Sequence, residues 1–289
     1  MTDIISLTVA GLITATLLFL TASGLTLIFG VSRVLNLAHG SFVMVAAYLA
    51  FQVTAWVGMP GRFWVALLAV PLMLALMGIG LETTVMRVAY RGDLLTQVLV
   101  TVALIFLISD GVRLSWGTRH RSVPIPQELS GTVSFLGSHF PVYHLTTILA
   151  GGVVALCLLS LMHLTRFGLL IRAAAQDRVM AGALGVDERK VFTGVFGLGS
   201  LLAGVAGVLA VPLVSANEAL AAEYLILALV VVVVGGMGSV TGSLAAAVVI
   251  GLVRSYGTLL IPEFELVFVF ATMALVLLVR PHGLLGRPE

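Results

Sequence analysis

Apolar runs of twenty or more residues recur along the whole chain, and this feature restricts the possible fold more than any other. Of the 289 residues, 60% are hydrophobic and 10% are charged, whereas a soluble domain has about 25% charged residues. Because about 20 apolar residues are enough for a helix to cross a bilayer, the runs predict a polytopic bundle of transmembrane helices. An outer-membrane barrel is excluded, because its short segments would alternate between apolar and polar residues.

We expect an all-α protein of eight or nine spans, with one or more broken helices, that forms one transmembrane domain over residues 1–289. The interruption at residues 30–41 is either a cytoplasmic turn or a helix break at mid-membrane depth. The span at residues 191–214 is rich in glycine, which predicts close packing of its backbone against another helix. Residues 235–242 predict a tight turn between two helices. The glycines of that turn are Gly235, Gly236, Gly238 and Gly242.

Residues 166–190, called the basic segment below, are the most charged part of the chain and lie between two apolar runs. They hold five of the fifteen basic residues, and the positive-inside rule therefore places them in the cytoplasm. The absence of proline between residues 169 and 184 predicts one short helix, with Gly185 as its C-terminal cap. Its less polar face would consist of Ala173, Gln176, Met180 and Leu184.

The other loops agree with this orientation. Residues 116–141 contain three prolines and predict an external loop with short structured pieces. Residues 215–223 predict an acidic external loop that carries Glu218 and Glu223. Near the C-terminus, basic residues place the chain end in the cytoplasm, and with nine spans the N-terminus would be outside. These residues are Arg280, His282 and Arg287.

Several kinds of site are excluded by residues that the chain lacks. Lys190 is the single lysine, and no glycine–lysine–serine or –threonine motif exists, so the chain has no phosphate-binding loop of its own. Cys157 is the single cysteine, which excludes an intrachain disulfide. The six histidines show no paired metal-ligand spacing. We therefore expect neither an enzyme nor a metal site, and any ATP-driven activity would need an ATPase on another chain.

Polar residues that interrupt an apolar run are the candidates for a solute path. A polar side chain that faced lipid would be costly, so these residues lie at an interface or inside the bundle. Two interpretations are equally supported: they cap and pack a helix break, or they line the path of a solute. The candidates are Asn36, His39, Gly40 and Ser41. Two structural ion pairs are also expected, between Glu82 and Arg87 and between Asp110 and Arg113.

Three parts of the sequence together resemble one family. They are residues 24–31 (GLTLIFGV) with 36–40 (NLAHG), residues 172–177 (RAAAQD) with 180–186 (MAGALGV), and residues 235–242 (GGMGSVTG). With these motifs, nearly the whole chain resembles the permease subunits of branched-chain amino acid ABC importers, of the LivH type. The family also includes permeases for urea, short amides and other amino acids, so the resemblance does not fix the solute.

The resemblance implies an importer in a bacterial-type inner membrane for branched-chain or other amino acids or a similar small polar solute. Its implied partners are a second, related permease that completes a heterodimer, two ATP-binding subunits, and a periplasmic solute-binding protein. ATP and Mg would bind the ATPase, and this chain would hold no cofactor. The basic segment would then be a coupling helix that docks into the ATPase. Its contact candidates are Arg172, Gln176, Asp177, Met180, Leu184 and Gly185.

A second hypothesis remains open beside this one. The chain would be a stand-alone channel or a secondary transporter for a small polar solute such as urea or an amide. Such a transporter is expected to have internal inverted repeats and an ionisable residue at mid-membrane depth. No repeat is obvious in the sequence, and His39 is the best candidate for such a residue.

Overall fold

The computed structural model describes residues 2–57, 61–135 and 138–286 of the chain. Arg287, which the sequence analysis used for the orientation, lies outside the described residues. The described helices are α1 (Thr2–Ser32), α2 (His39–Val57), α3 (Arg62–Leu81), α4 (Arg87–Ala89), α5 (Leu94–Trp116), α6 (Val142–Leu164), α7 (Arg166–Gln176), α8 (Arg178–Ala183), α9 (Glu188–Val214), α10 (Ala219–Gly235), α11 (Val240–Leu260) and α12 (Glu265–Val279). A π-helical turn, Glu82–Met86, joins α3 to α4.

The predicted polytopic helix bundle is confirmed. Within the described residues, eight helical segments are long and apolar enough to cross a membrane, and α10 is apolar but shorter. Residues 116–141 contain the expected short structured pieces. These are a 3-10 turn, Gln127–Leu129, and an antiparallel hairpin of β1 (Thr132–Phe135) and β2 (Ser138–Pro141).

The core of the bundle lies around α9. In its most apolar window, 78% of the residues are buried, which is the largest share among the candidate spans. Helix α9 packs against α1, α2 and α3, and α1 also packs against α6, α10 and α11. Helices α5, α6 and α12 lie at the periphery, where Leu107, Leu156 and Leu278 are exposed. Exposed leucines on spanning helices are the side chains expected to face lipid.

Glycines allow the backbones of the central helices to touch. A Cβ atom added to Gly199 of α9 would lie 2.9 Å from the carbonyl oxygen of Gly24 in α1. A Cβ atom added to Gly207 would lie 2.5 Å from the carbonyl oxygen of Val43 in α2. The close packing that the glycine-rich span predicted is therefore present, and it brings both α1 and α2 against α9.

The acidic loop predicted at residues 215–223 is shorter than expected. Helix α10 begins at Ala219, whose backbone amide donates a hydrogen bond of 2.9 Å to Asn217 Oδ1. Glu223 therefore lies in a helix, and the prediction of a loop through Glu223 was wrong. Its Oε1 accepts a hydrogen bond of 2.8 Å from Arg254 of α11.

Both expected ion pairs are present, but Arg113 has a second and closer partner. Arg87 Nη2 lies 3.1 Å from Glu82 Oε2, which confirms the first pair. Arg113 lies 3.8 Å from Asp110 but only 2.6 Å from Glu218. The stronger partner of Arg113 is therefore on another segment of the chain, and residue spacing on one helix does not reveal it.

We predict that Gly199→Ala lowers the free energy of unfolding by about 1–3 kcal/mol, because the added methyl group overlaps the α1 backbone. The matched control is Gly80→Ala on α3, where an added Cβ atom meets nothing within 4 Å. Alanine favours a helix more than glycine does, so the control should be neutral or more stable by up to about 1 kcal/mol. Thermal unfolding of both variants in detergent measures the difference. Equal midpoints would contradict the close contact of α1 with α9.

Candidate functional site

The α1–α2 break, residues 33–38, runs back into the bundle. Arg33 has a positive φ of 53° and reverses the chain just after α1 ends. His39, the first residue of α2, places its Nε2 3.1 Å from the carbonyl oxygen of Thr21. Thr21 is about 16 Å from Ser32 along the axis of α1, at 1.5 Å per residue. Helix α2 therefore starts inside the bundle, which decides between a surface turn and a break at depth.

The polar side chains at the α1–α2 break are buried. Asn36 and Ser41 are 1% exposed and His39 is 0% exposed. Asn36 Oδ1 accepts a hydrogen bond of 3.1 Å from the amide of Ala38, so this side chain caps the chain before α2. Gly40 packs so closely against α10 that an added Cβ atom would lie 2.7 Å from Leu225 Cβ. The four predicted path residues are thus all packed inside the bundle.

Three polar atoms at the break have unused hydrogen-bonding capacity. Among the described residues, Asn36 Nδ2, His39 Nδ1 and Ser41 Oγ have no hydrogen-bond partner. Since His39 Nε2 donates to a carbonyl oxygen, its Nδ1 is left as an acceptor. Asn36 Nδ2 is a donor, and Ser41 Oγ is both donor and acceptor. Because buried polar groups are nearly always paired, these three atoms make the break a candidate for polar contacts beyond those described within the chain.

The basic segment does not form the single helix predicted for residues 169–184. Asp177 has an extended backbone, with φ −149° and ψ 107°, and separates α7 from α8. Its Oδ1 accepts a hydrogen bond of 3.0 Å from the amide of Met180 and so caps α8. The prediction of one continuous helix was wrong, because the cap at Asp177 restarts the helix.

The two faces of the basic segment differ sharply. The face of α7 and α8 that packs on the bundle consists of Gly168, Ile171, Ala174 and Ala181. On the other side, Val179, Met180 and Leu184 are 84%, 58% and 79% exposed. The predicted less polar face does not pack as one stripe, because the segment is broken between Gln176 and Met180. These apolar side chains of α8 and its C-terminal end are presented away from the bundle.

The remaining contact candidates lie close to these exposed side chains. Gln176 is exposed at the end of α7, and Arg172 is half-buried one turn before it. Gly185 has a positive φ of 87° and follows α8, as expected for a C-terminal cap. The amide of Val186 donates a hydrogen bond of 3.0 Å to the carbonyl oxygen of Ala181, which closes the end of α8.

Two further residues at this end of the bundle were not singled out from the sequence. Arg178 Nη2 donates a hydrogen bond to the carbonyl oxygen of Val31 in the last turn of α1. Burial lowers the pKa of Arg178, and the Glu188 carboxylate opposes that shift. Thr193 Oγ1 donates a hydrogen bond of 2.6 Å to Glu82 Oε2 and accepts one of 3.0 Å from Arg87. Both contacts join distant segments, so no local pattern predicts them.

The glycine turn between α10 and α11 meets the same end of α1. Gly236 and Gly238 have φ values of 100° and 84°, which glycine adopts without strain. A Cβ atom added to Gly30 would lie 3.2 Å from the Cα atom of Gly238. The tail after α12 pairs with the end of α10, through a 2.8 Å hydrogen bond from the amide of Leu284 to the carbonyl oxygen of Val234.

Comparison with known proteins agrees with this architecture. The family described as "Branched-chain amino acid transport system / permease component" matches residues 7–277. The high-affinity branched-chain amino acid transport system permease protein BraD of Pseudomonas aeruginosa is 29% identical, over 97% of this chain and 95% of BraD. The high-affinity branched-chain amino acid transport system permease proteins LivH and LivM of Escherichia coli K12 are also similar to this chain. LivH is 28% identical, over 93% of this chain and 91% of LivH. LivM is 27% identical, over 92% of this chain and 67% of LivM. No solved structure matches the chain.

We predict that Asn36→Ala lowers the free energy of unfolding by about 1–3 kcal/mol, because it leaves the buried Ala38 amide without an acceptor. Asn36→Ser should recover most of the loss, since a serine oxygen can accept the same hydrogen bond. Asn217→Ala is the matched control. It removes an equivalent cap from Ala219, which is exposed, so water replaces the lost acceptor. Thermal unfolding compares the three variants, and equal losses for Asn36→Ala and Asn217→Ala would contradict the buried cap.

Proposed function

The chain belongs to the family of permease components of branched-chain amino acid transport systems, and we propose that it is one half of the membrane path of an ATP-driven importer. The imported solute would be a branched-chain or other amino acid, or a similar small polar molecule. One observation carries this proposal. The basic segment is packed on the bundle by one face and presents Val179, Met180 and Leu184 outward by the other, in a chain without a phosphate-binding loop.

The proposed partners follow from that arrangement. An exposed apolar patch within a charged segment is typical of a protein–protein contact, and here it would be with an ATP-binding subunit. Two such subunits would bind ATP and Mg, and a periplasmic solute-binding protein would deliver the solute. The chain is similar to both LivH and LivM of E. coli, which supports pairing with a second, related permease. We place the complex in the bacterial inner membrane, with the basic segment and the C-terminus in the cytoplasm.

The proposed mechanism connects the two parts of the site. ATP binding would close the ATPase dimer and move α7 and α8 through the contact candidates of the basic segment. That movement would open the α1–α2 break, whose polar atoms are closed off in the present conformation. Asn36 Nδ2 would then donate to the solute, and His39 Nδ1 would accept from its ammonium or amide group. Gly40 and Ser41 would form the adjoining wall of the path.

The proposal is tested by purifying the tagged chain in mild detergent and identifying every protein that co-purifies. We expect two ATPase chains and a second permease. The complex is then placed in vesicles with its binding protein, and uptake of radiolabelled leucine is measured with and without ATP. Solute flux through the chain alone, without nucleotide, would instead support a channel or secondary transporter.

We predict that Leu184→Asp and Arg172→Glu abolish uptake and reduce recovery of the ATPase about tenfold or more, as expected for residues central to an interface. Both side chains lie on the basic segment, so insertion should not change in either variant, and because Leu184 is 79% exposed, thermal stability should not change in Leu184→Asp. The matched control is Arg91→Glu, which makes the same charge reversal at an exposed residue in the loop before α5. Normal uptake with Arg172→Glu would overturn the coupling assignment.

We also predict that His39→Gln raises the KM for uptake about tenfold, because one hydrogen bond to the solute is worth about 1–1.5 kcal/mol. The glutamine amide can still donate to the carbonyl oxygen of Thr21, so thermal stability should fall little. Kinetics of uptake in vesicles at several solute concentrations give the KM. A lower stability with an unchanged KM would assign His39 to packing of the break alone.

A further inference from the structure

Arg178 is the first residue of α8, and its side chain reaches the end of another helix. Its Nη2 donates a hydrogen bond to the carbonyl oxygen of Val31. The guanidinium carbon lies 4.9 Å from the centre of the Phe192 ring, at the start of α9. A planar guanidinium that both stacks on a ring and donates to a carbonyl has a fixed position. Arg178 thus joins three helices at a single point.

The partner of Arg178 is the part of α1 that leads into the α1–α2 break. Val31 lies in the last turn of α1, where backbone carbonyl groups have no partner within the helix. A cation at this position is favourable, because the C-terminal end of a helix carries a partial negative charge. Ser32 and Arg33 follow directly, and the chain then turns inward to Asn36 and His39. The hydrogen bond from Arg178 therefore holds the outer end of the break.

The position of Arg178 within α8 couples it to the exposed face of the basic segment. Helix α8 has only six residues, and the Asp177 cap fixes its first turn. Arg178 extends from that turn toward the bundle, while the adjacent Val179 and Met180 are 84% and 58% exposed on the outside. A force applied to the exposed side chains consequently reaches Arg178 through a single turn of helix.

Within the described part of the chain, the buried side chains of α7 and α8 that pack on the bundle are apolar and lack this directionality. Ile171 and Ala174 of α7 and Ala181 of α8 are buried apolar side chains, and apolar packing is not specific in direction. The hydrogen bond from Arg178 ends on one atom next to the break. Arg178 Nε is also buried, and it has no hydrogen-bond partner among the described residues. The guanidinium group therefore occupies this position although one of its donors is unpaired.

We propose that Arg178 transmits movement of α8 to the α1–α2 break, and so acts as a positioning residue for transport. This inference rests on the proposed function, in which a partner ATPase moves the basic segment. It goes further in naming one contact through which that movement reaches Asn36 and His39. Without the contact, α8 would still dock on the ATPase, but its movement would no longer reach the break.

The test compares Arg178→Met with Arg178→Lys in the complete complex in vesicles. Methionine keeps much of the apolar stem and loses the donor, whereas lysine can still donate to the carbonyl oxygen of Val31. The matched control is Arg189→Met, which removes one charge from an exposed residue of the same segment. ATP hydrolysis and solute uptake are measured on the same vesicles, and their ratio gives the solute imported per ATP.

We expect Arg178→Met to assemble and to hydrolyse ATP, but to import about tenfold less solute per ATP, a typical loss for a residue that carries coupling. Arg178→Lys should recover a large part of the ratio, and Arg189→Met should match the unaltered complex. An unchanged ratio in Arg178→Met would overturn the inference and leave the proposed function intact. A parallel loss of hydrolysis and uptake, or of assembly, would also overturn it, because it would show a merely structural role.

Hydrogen exchange supplies a second, direct measurement. We expect nucleotide trapping in the unaltered complex to change protection both in the basic segment and in peptides covering residues 29–41. In Arg178→Met, the change in the basic segment should remain and the change at residues 29–41 should disappear. If both changes persist, the inference is wrong. If the unaltered complex shows no ATP-dependent uptake at all, the proposed function fails, and the inference fails with it.

Discussion

The contact of α1 with α9 at Gly24 is the constraint on which the rest of the arrangement depends. A Cβ atom at Gly24 would lie 2.6 Å from the carbonyl oxygen of Gly199 and 2.9 Å from His39 Nε2. Three segments therefore meet at one residue without a side chain: the C-terminal third of α1, the middle of α9 and the start of α2. A larger residue here would push away either the α9 backbone or the histidine that marks the inner end of the α1–α2 break.

A break inside a membrane bundle is possible only when its backbone groups are paired. The hydrocarbon core offers no water, so each freed amide or carbonyl group needs a partner from the protein. Here Asn36 Oδ1 pairs with the Ala38 amide, Ser32 Oγ accepts from the Val34 amide, and Arg178 pairs with the Val31 carbonyl group. The polar residues of the break thus pair backbone groups, while Asn36, His39 and Ser41 each keep one polar atom that has no partner among the described residues.

The sequence predicts most of the bundle, because span length and glycine content are local properties. Such local patterns predicted the spans, the glycine turn after α10 and the ion pair of Glu82 with Arg87. The depth of the α1–α2 break could not be predicted from the sequence. It depends on the contact of His39 with Thr21, and these two residues lie on different helices. The break at Asp177 was missed because the composition of residues 169–184 favours one continuous helix. The Asp177 side chain instead caps α8 and so ends α7.

The structure also explains why polar segments that are scattered along the sequence belong together. The basic segment and the glycine turn at Gly238 both contact the end of α1, at one end of the bundle. The tail after α12 joins them through the end of α10. Arg178 holds the last turn of α1 by a directional hydrogen bond, and close backbone contact with Gly199 of α9 holds α1 at Gly24. The outer end of the α1–α2 break begins directly after the first of these contacts, and His39 at its inner end lies beside the second. Both ends of the break are therefore tied to contacts of the same helix.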